Sequence, residues 1–328
     1  TGPWPAYFLR SSLLLLRPRP VSSNVGRTED QVRGISFFAK ENCLTTEHSP
    51  SRPPVWRCAC LLLFLASLVP SSTIGAERHT IQPTLRVLFI GNSYTYFNNL
   101  GDMVAGIAAA GTGPKIAPTL AVRGGQSLQW HLENGPAMVA LKTGTWDYVV
   151  LQEQSMLGVA TLDGKAVIAD PSAFHAAVRE WARRVRSVGA KPILFMTWAR
   201  RSALPEQAKL SEAYLSIGRE LNIAVAPVGE AWSAARTRWL SLDLHIFDES
   251  HPTPAGSYLA ACVIFSTLTG RDPKGAPSVI LGHPVARSEG TVDFSEMVPL
   301  VDLGTTTAGW LQEIAWKAVL DHRSRTDK

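Results

Sequence analysis

Five short apolar runs constrain what this chain can fold into. They are Arg86–Gly91 (RVLFIG), Pro118–Arg123 (PTLAVR), Asp147–Gln152 (DYVVLQ), Pro192–Thr197 (PILFMT) and Asn222–Val228 (NIAVAPV). Four of them are hydrophobic almost without interruption, the pattern of strands covered on both faces in a parallel sheet. Amphipathic segments at about 99–111, 126–142, 172–189 and 205–221 lie between them. Further helical patterns occur at about 229–239, Pro254–Leu268 and Thr307–Asp321. Repeated β-α units of this kind predict a three-layer α/β/α sandwich with right-handed crossovers. In such folds the ligand sits at the carboxyl ends of the strands, so chemistry is sought just after each run.

The 328 residues carry a formal charge of +5, which invites a nucleic-acid reading. The charge is not spread over the chain. Residues 1–76 hold eight Lys/Arg against four acids, and residues 77–328 hold 24 against 23. The body of the protein therefore has no electrostatic bias toward a phosphate backbone. The front end reads as an export signal at 52–76. Arg52 and Arg57 precede the apolar run Cys58–Val69, and the small-residue exit Ile74-Gly75-Ala76 comes after it. Cleavage after Ala76 is expected, giving a secreted or periplasmic domain at 77–328; an uncleaved membrane anchor is the alternative. Residues 1–51 read as a disordered extension, or as the product of a start site set too far upstream. Three of the four cysteines (Cys43, Cys58, Cys60) precede the cut. Cys262 alone remains, as a core residue, with no intramolecular disulfide or cysteine metal site to make.

The first run ends in Gly91-Asn92-Ser93-Tyr94-Thr95. A serine directly after a buried strand is presented at the sheet's carboxyl edge, where it can act as a nucleophile or help cradle a phosphate. An isolated serine there can equally be a turn residue capping the next helix. Asp248-Glu249-Ser250-His251-Pro252 changes the balance, because Asp and His three residues apart can set a carboxylate beside an imidazole. Thr253 can cap the following helix, and Pro254 suits its first turn. Other histidines have plainer readings. His131, His175 and His283 lack carboxylate partners in sequence, and His245 with Asp248 and His251 fits no common zinc spacing. Trp198 and Trp232 fall near the active edge, as pocket lining or as core. Tyr94 and Tyr96 flank the serine and can shape a cleft. Arg200 and Arg201 read as a solvated loop, with contact to an acidic substrate as the alternative.

With these residues in place, the chain resembles the SGNH (GDSL-type) hydrolases, and more closely a bacterial subgroup of unassigned substrate. The resemblance spans about 85–270. The family's Gly-Asp-Ser block reads GNSYT here, with Asn92 in place of the usual Asp. Its second-block glycine falls in Arg123-Gly124-Gly125-Gln126-Ser127. Its Gly-x-Asn-Asp block is replaced by Leu151-Gln152-Glu153-Gln154-Ser155, and its Asp-x-x-His block is matched by Asp248 and His251. The resemblance implies a five-stranded, flavodoxin-like parallel sheet. It implies Ser93 as nucleophile, His251 as general base and acid, and Asp248 as the residue that orients the imidazole. The oxyanion hole would combine the N–H groups of Ser93 and Gly125 with a third donor. The family's Asn is missing; Gln154 is expected to replace it, with Gln152 as the rival.

The resemblance thus implies a secreted serine esterase working through an acyl-enzyme, with no metal or organic cofactor. Its partner would be a small-molecule or carbohydrate ester, such as an acetylated sugar, and not nucleic acid. Two other classes stand beside it: an inactive binding protein of the same fold, and a flavodoxin-like phosphate or flavin binder using Asn92–Thr95 as an anion loop. The last leaves Asp248 and His251 without a role.

Overall fold

Strand β1 (Thr84–Gly91) shows why this chain makes a sheet covered on both sides. Val87, Leu88, Phe89 and Ile90 are all fully buried. Alternate side chains leave a strand on opposite faces. Val87 and Phe89 accordingly join one hydrophobic core, and Leu88 and Ile90 join the other. The computed structural model describes residues 82–162 and 165–326, and these described residues belong to one compact unit. The expected N-terminal extension at 1–51 and the expected export signal at 52–76 lie outside the described residues.

β2 (Lys115–Val122), β3 (Tyr148–Leu151), β6 (Lys191–Phe195) and β7 (Ala224–Ala226) complete a parallel sheet in the order β2-β1-β3-β6-β7. All five expected strands are present. Pro118 lies inside β2 rather than at its start. The edge position accounts for this, since a missing N–H costs no ladder bond on an outer side. Chain direction across the sheet reverses at β1, which has β2 on one side and β3 on the other. That switch point opens a crevice at the carboxyl ends of the strands.

Helices cover both faces. α3 (Leu128–Asn134), α4 (Pro136–Thr143), α5 (Ser172–Ser187) and α6 (Gln207–Leu221) supply the core that contains Leu88 and Ile90. α2 (Leu100–Ala109), α7 (Val228–Arg238), α8 (Pro254–Thr269) and α9 (Thr305–Thr326) supply the other. The helix expected over 126–142 is two helices. Gly135 sits at φ +89° between them, a conformation suited to glycine, and Pro136 opens the second. α8 is buried around almost its whole circumference, with Cys262 fully inside.

Two antiparallel hairpins are absent from the sequence-based expectation: β4 (Val159–Leu162) with β5 (Lys165–Ile168), and β8 (Val279–Gly282) with β9 (Val298–Asp302). In β8 the burial alternates, with Val279 and Leu281 outward and Ile280 and Gly282 inward. That period-two signal spans only four residues, too few to stand out. Among the described residues no helix is long and apolar enough to cross a membrane.

Candidate active site

The turn after β1 is built to hold a serine still. Asn92 caps the short helix α1 (Ser93–Tyr96), its Oδ1 accepting the N–H of Tyr94 at 3.1 Å. Its Nδ2 donates to the Gln126 carbonyl at 2.9 Å, tying the serine turn to the second glycine block. An aspartate could not donate that bond, which gives the departure from the family's Asp a physical use. Beneath the turn, fully buried Gln152 accepts from Asn92 N–H at 2.9 Å and from Thr95 Oγ1 at 2.8 Å. Its amide nitrogen donates to Asn92 Oδ1 at 3.0 Å and to the Glu153 carbonyl. A side chain at Gly91 would meet Gln152 Oε1 at 2.5 Å, so the close approach requires glycine there.

Thr253 and Pro254 open α8 as expected, with Thr253 Oγ1 accepting the N–H of Gly256 at 3.2 Å. The loop before them is clamped at its neck, Ile246 N–H donating to the His251 carbonyl and Thr253 N–H to the Leu244 carbonyl. At its tip Asp248 Oδ1 accepts the N–H groups of Ser250 and His251, each at 2.9 Å. Asp248 Oδ2 lies 2.5 Å from His251 Nδ1, and His251 Nε2 lies 2.7 Å from Ser93 Oγ. Partial burial of Asp248 raises its pKa. Donation from the His251 and Ser250 N–H groups and from the His251 ring outweighs this, leaving the carboxyl below its ordinary value. Phe97 stacks on the His251 ring at 4.3 Å between centroids, restricting its rotation.

Ser93, His251, Gly125 and Gln154 line one cleft of about 310 Å³ with Tyr94 and Tyr96. Gly125 occupies a turn closed by Gln126 N–H to the Arg123 carbonyl, at φ +71°. Nothing lies within 4 Å of where its Cβ would be. The glycine is needed for its left-handed backbone, not to avoid a protein neighbour. Gln154 Oε1 accepts the N–H groups of Met156 and Gly158 at 3.2 and 3.0 Å. These bonds fix the amide while its NH₂ has no partner among the described residues. Gln152, the rival, has both ends of its amide engaged behind the serine turn.

A larger hollow of about 670 Å³ lies where β3, β6 and β7 begin, bordered by Tyr148, Lys191 and Ala224. It is at the amino ends of the strands and contains none of the nucleophile candidates.

The remaining candidates separate cleanly. Trp198 and Trp232 are core: their rings stack at 3.9 Å, and Tyr94 stacks on Trp198 at 4.3 Å. His245 packs edge-on against Trp232, with Nε2 3.1 Å from the Ala199 carbonyl. Burial lowers its pKa to about 4. Among the described residues no group of three His, Cys, Asp or Glu side chains could hold a metal ion. His175 bonds the Ala213 carbonyl. His283 does have a carboxylate partner: its Nδ1 lies 2.8 Å from Asp102 Oδ2, outside the cleft lining. A sequence separation of 181 residues hides this pair from any local window. Arg201 pairs with Asp243, whereas Arg200 lines the cleft.

Two supporting residues escape sequence reasoning. His131 is buried, its Nε2 2.8 Å from the Gly91 carbonyl just before the serine turn. Glu153 is also buried, with Oε2 accepting Leu128 N–H at 3.1 Å and Oε1 accepting Gln154 N–H at 2.6 Å. It thereby joins the start of α3 to the segment that bears Gln154. Burial pushes its carboxyl up to about 7, against the lowering effect of those two N–H donors. A folded-state pKa above the unfolded one means the native protein holds the extra proton. The associated stabilisation is fully present below about pH 4.5 and is lost as pH rises to about 7, by about 3 kcal/mol. Urea unfolding should therefore show wild type losing about that much more than Glu153→Gln between pH 4.5 and 8. Parallel pH dependences would contradict the buried-proton account.

Comparison with known proteins bears on the fold. A DUF4886 family protein from Bacteroides uniformis superposes with a TM-score of 0.51 at 18% identity, covering 72% of this chain and 95% of that one. In the present chain the parallel sheet carries a serine after its first strand and Asp-x-x-His before a late helix. The fold is of the SGNH-hydrolase type. Weaker superpositions include a candidate SGNH hydrolase from Slackia heliotrinireducens, with a TM-score of 0.46, 25% identity, and coverage of 56% of this chain and 99% of that one. A lipase/acylhydrolase from Enterococcus faecalis gives a TM-score of 0.44 at 18% identity, covering 58% and 100%. No protein-family model and no curated protein matches the chain. Within the SGNH-type fold the cleft lies at the switch point beside β1, where the serine, histidine and carboxylate meet.

Proposed function

We propose that the protein is a serine esterase. The observation that carries this reading is the continuous relay Asp248 Oδ2–His251 Nδ1 at 2.5 Å and His251 Nε2–Ser93 Oγ at 2.7 Å. Ser93 Oγ attacks the ester carbonyl carbon while His251 Nε2 takes the hydroxyl proton. The carbonyl π pair moves to oxygen, giving a tetrahedral oxyanion. Its collapse breaks the bond to the alcohol oxygen, which receives the proton from His251, and leaves an acyl group on Ser93. Water then attacks the acyl carbon, yielding its proton to His251, which returns it to Ser93 as the acid departs. Asp248 holds the Nδ1–H tautomer and stabilises the imidazolium throughout.

The oxyanion is assigned to the N–H groups of Ser93 and Gly125 and to the Gln154 NH₂. Removing one such donor costs about 2.7–4 kcal/mol in the barrier. Gln154→Ala should therefore lower kcat on p-nitrophenyl acetate about 10²- to 10³-fold with a smaller change in KM. An unchanged kcat would remove Gln154 from the hole. Export of the domain, and small acyl groups on carbohydrate as its substrates, belong to the same reading. Export is tested by N-terminal sequencing of the protein recovered outside the cytoplasm, with residue 77 expected first. The esterase reading is tested by p-nitrophenyl acetate hydrolysis with wild type and Ser93→Ala. Equal rates would leave the alternative of an inactive binding protein with this fold.

A further inference from the structure

Two arginines share the cleft with Ser93, and no carboxylate lines it among the described residues. Arg200 comes after β6 and is held by its neighbours: Ala199 N–H donates to Gln207 Oε1 at 2.7 Å, and Arg201 N–H to the Glu249 carbonyl at 2.8 Å. One Arg200 Nη donates to Ser155 Oγ at 3.1 Å, while its buried Nε has no partner. It has no ion-pair partner among the described residues, in contrast to Arg201 beside it, whose charge is matched by Asp243. Arg287 lines the same cleft from the loop joining β8 and β9. Tyr96 Oη donates to the Arg287 carbonyl at 2.8 Å, and the guanidinium lies 5.3 Å from the centroid of Phe97, the ring that stacks on His251. Asp248, behind His251, has both oxygens engaged by its own loop and the His251 ring.

A guanidinium with free donors in a partly enclosed cleft attracts an anion and offers it a planar fork that matches a carboxylate. Two positive charges in a lining that holds no acid among the described residues also raise the local concentration of anionic substrate. A site for neutral acetyl esters alone would gain nothing from these groups.

We infer that Arg200 and Arg287 are specificity residues for an ester that carries a carboxylate. This rests on the esterase reading and deepens it. The carboxylate can belong to the alcohol, as in an O-acylated acidic sugar, or to the far end of the acyl chain. The recognition chemistry is the same.

Matched pairs of esters test this and separate the two sources. 3-Acetoxybenzoate against its methyl ester places the charge on the alcohol side. Mono-4-nitrophenyl glutarate against 4-nitrophenyl pentanoate places it on the acyl side. Rates are taken above the Ser93→Ala background, since the glutarate hydrolyses by itself. Wild type should prefer one anionic ester over its neutral partner at least tenfold in kcat/KM, and the preference should shrink with added NaCl. Arg200→Gln and Arg287→Gln should each cut that ratio about tenfold, chiefly through KM. Arg238→Gln, whose partner is Glu313 on α9, should leave it alone. If Ser93-dependent hydrolysis shows no anionic preference in either pair, the arginines do not select substrate and the esterase reading survives without them. If none of the four esters is hydrolysed in a Ser93-dependent way, the esterase reading falls and takes this inference with it. The wild-type ratio and its salt dependence need no variant, so a misfolded mutant leaves the test intact.

Discussion

Asp248→Asn should lower kcat about 10⁴-fold while leaving the fold in place. The reason lies in how the loop divides the two carboxylate oxygens. Oδ1 accepts two backbone N–H groups, from Ser250 and His251. An asparagine must keep its carbonyl there, because an NH₂ facing two donors would leave both unsatisfied, at about 1–3 kcal/mol each. The NH₂ is thus forced toward His251 Nδ1. That nitrogen becomes an acceptor, the ring proton moves to Nε2, and Nε2–H faces Ser93 Oγ with no lone pair to take its proton. The wrong tautomer accounts for a loss of about 10⁴ in an analogous serine hydrolase triad. Kinetics on p-nitrophenyl acetate with a parallel melting curve checks both halves. A loss of only a few fold would mean that Asp248 does not set the tautomer.

Ser93→Ala should remove at least about 10³-fold of the rate and all covalent labelling by a fluorophosphonate. Ser93 is 8% exposed and lines the cleft, and among the described residues its Oγ bonds only His251 Nε2. Truncation removes the nucleophile without unpairing a buried group, so the melting temperature should hold. Mass spectrometry of the labelled peptide makes the outcome specific. A label elsewhere, or full activity in the variant, would show that another residue forms the acyl-enzyme. The two variants should also be far from additive. With Ser93 gone there is no proton for His251 to take, so adding Asp248→Asn should cost little more.

Much of the fold is legible in the sequence because buried parallel strands are written locally. Runs such as RVLFIG announce themselves over six residues, and Thr253-Pro254 announces a helix start. Pro118 is harder to place, because its tolerance inside a strand depends on β2 being an edge, a property of sheet order that no local window contains. The β8–β9 hairpin is hidden for a related reason. Its strands pair across 283–297, and each alone is too short for periodicity to rise above chance. That hairpin matters, since its loop brings Arg287 to the cleft.

The candidate site divides along the same line. Ser93, and Asp248 with His251, can be singled out because each sits at a chain position whose local geometry is predictable: after a buried strand, and before a capped helix. Sequence puts Gln154 first but keeps Gln152 as its rival, since extended-chain alternation sends both side chains to the same side. Packing gives them different surroundings, engaging one amide wholly beneath Asn92 and Thr95 and leaving the NH₂ of the other, a cleft-lining residue, without a partner among the described residues. His131 and Glu153 give no signal, because a buried polar group acquires its role from backbone atoms remote in sequence. The amino-acid order by itself thus determined the alternation of strands and helices and the chemistry available at the strand ends, both consequences of short-range patterning. The 158-residue closure that brings His251 to Ser93, the different surroundings of the two glutamines, and the presence of Arg200 and Arg287 in one cleft lining were decided by tertiary structure. Each depends on which distant surfaces pack together, and packing is a property of the whole chain.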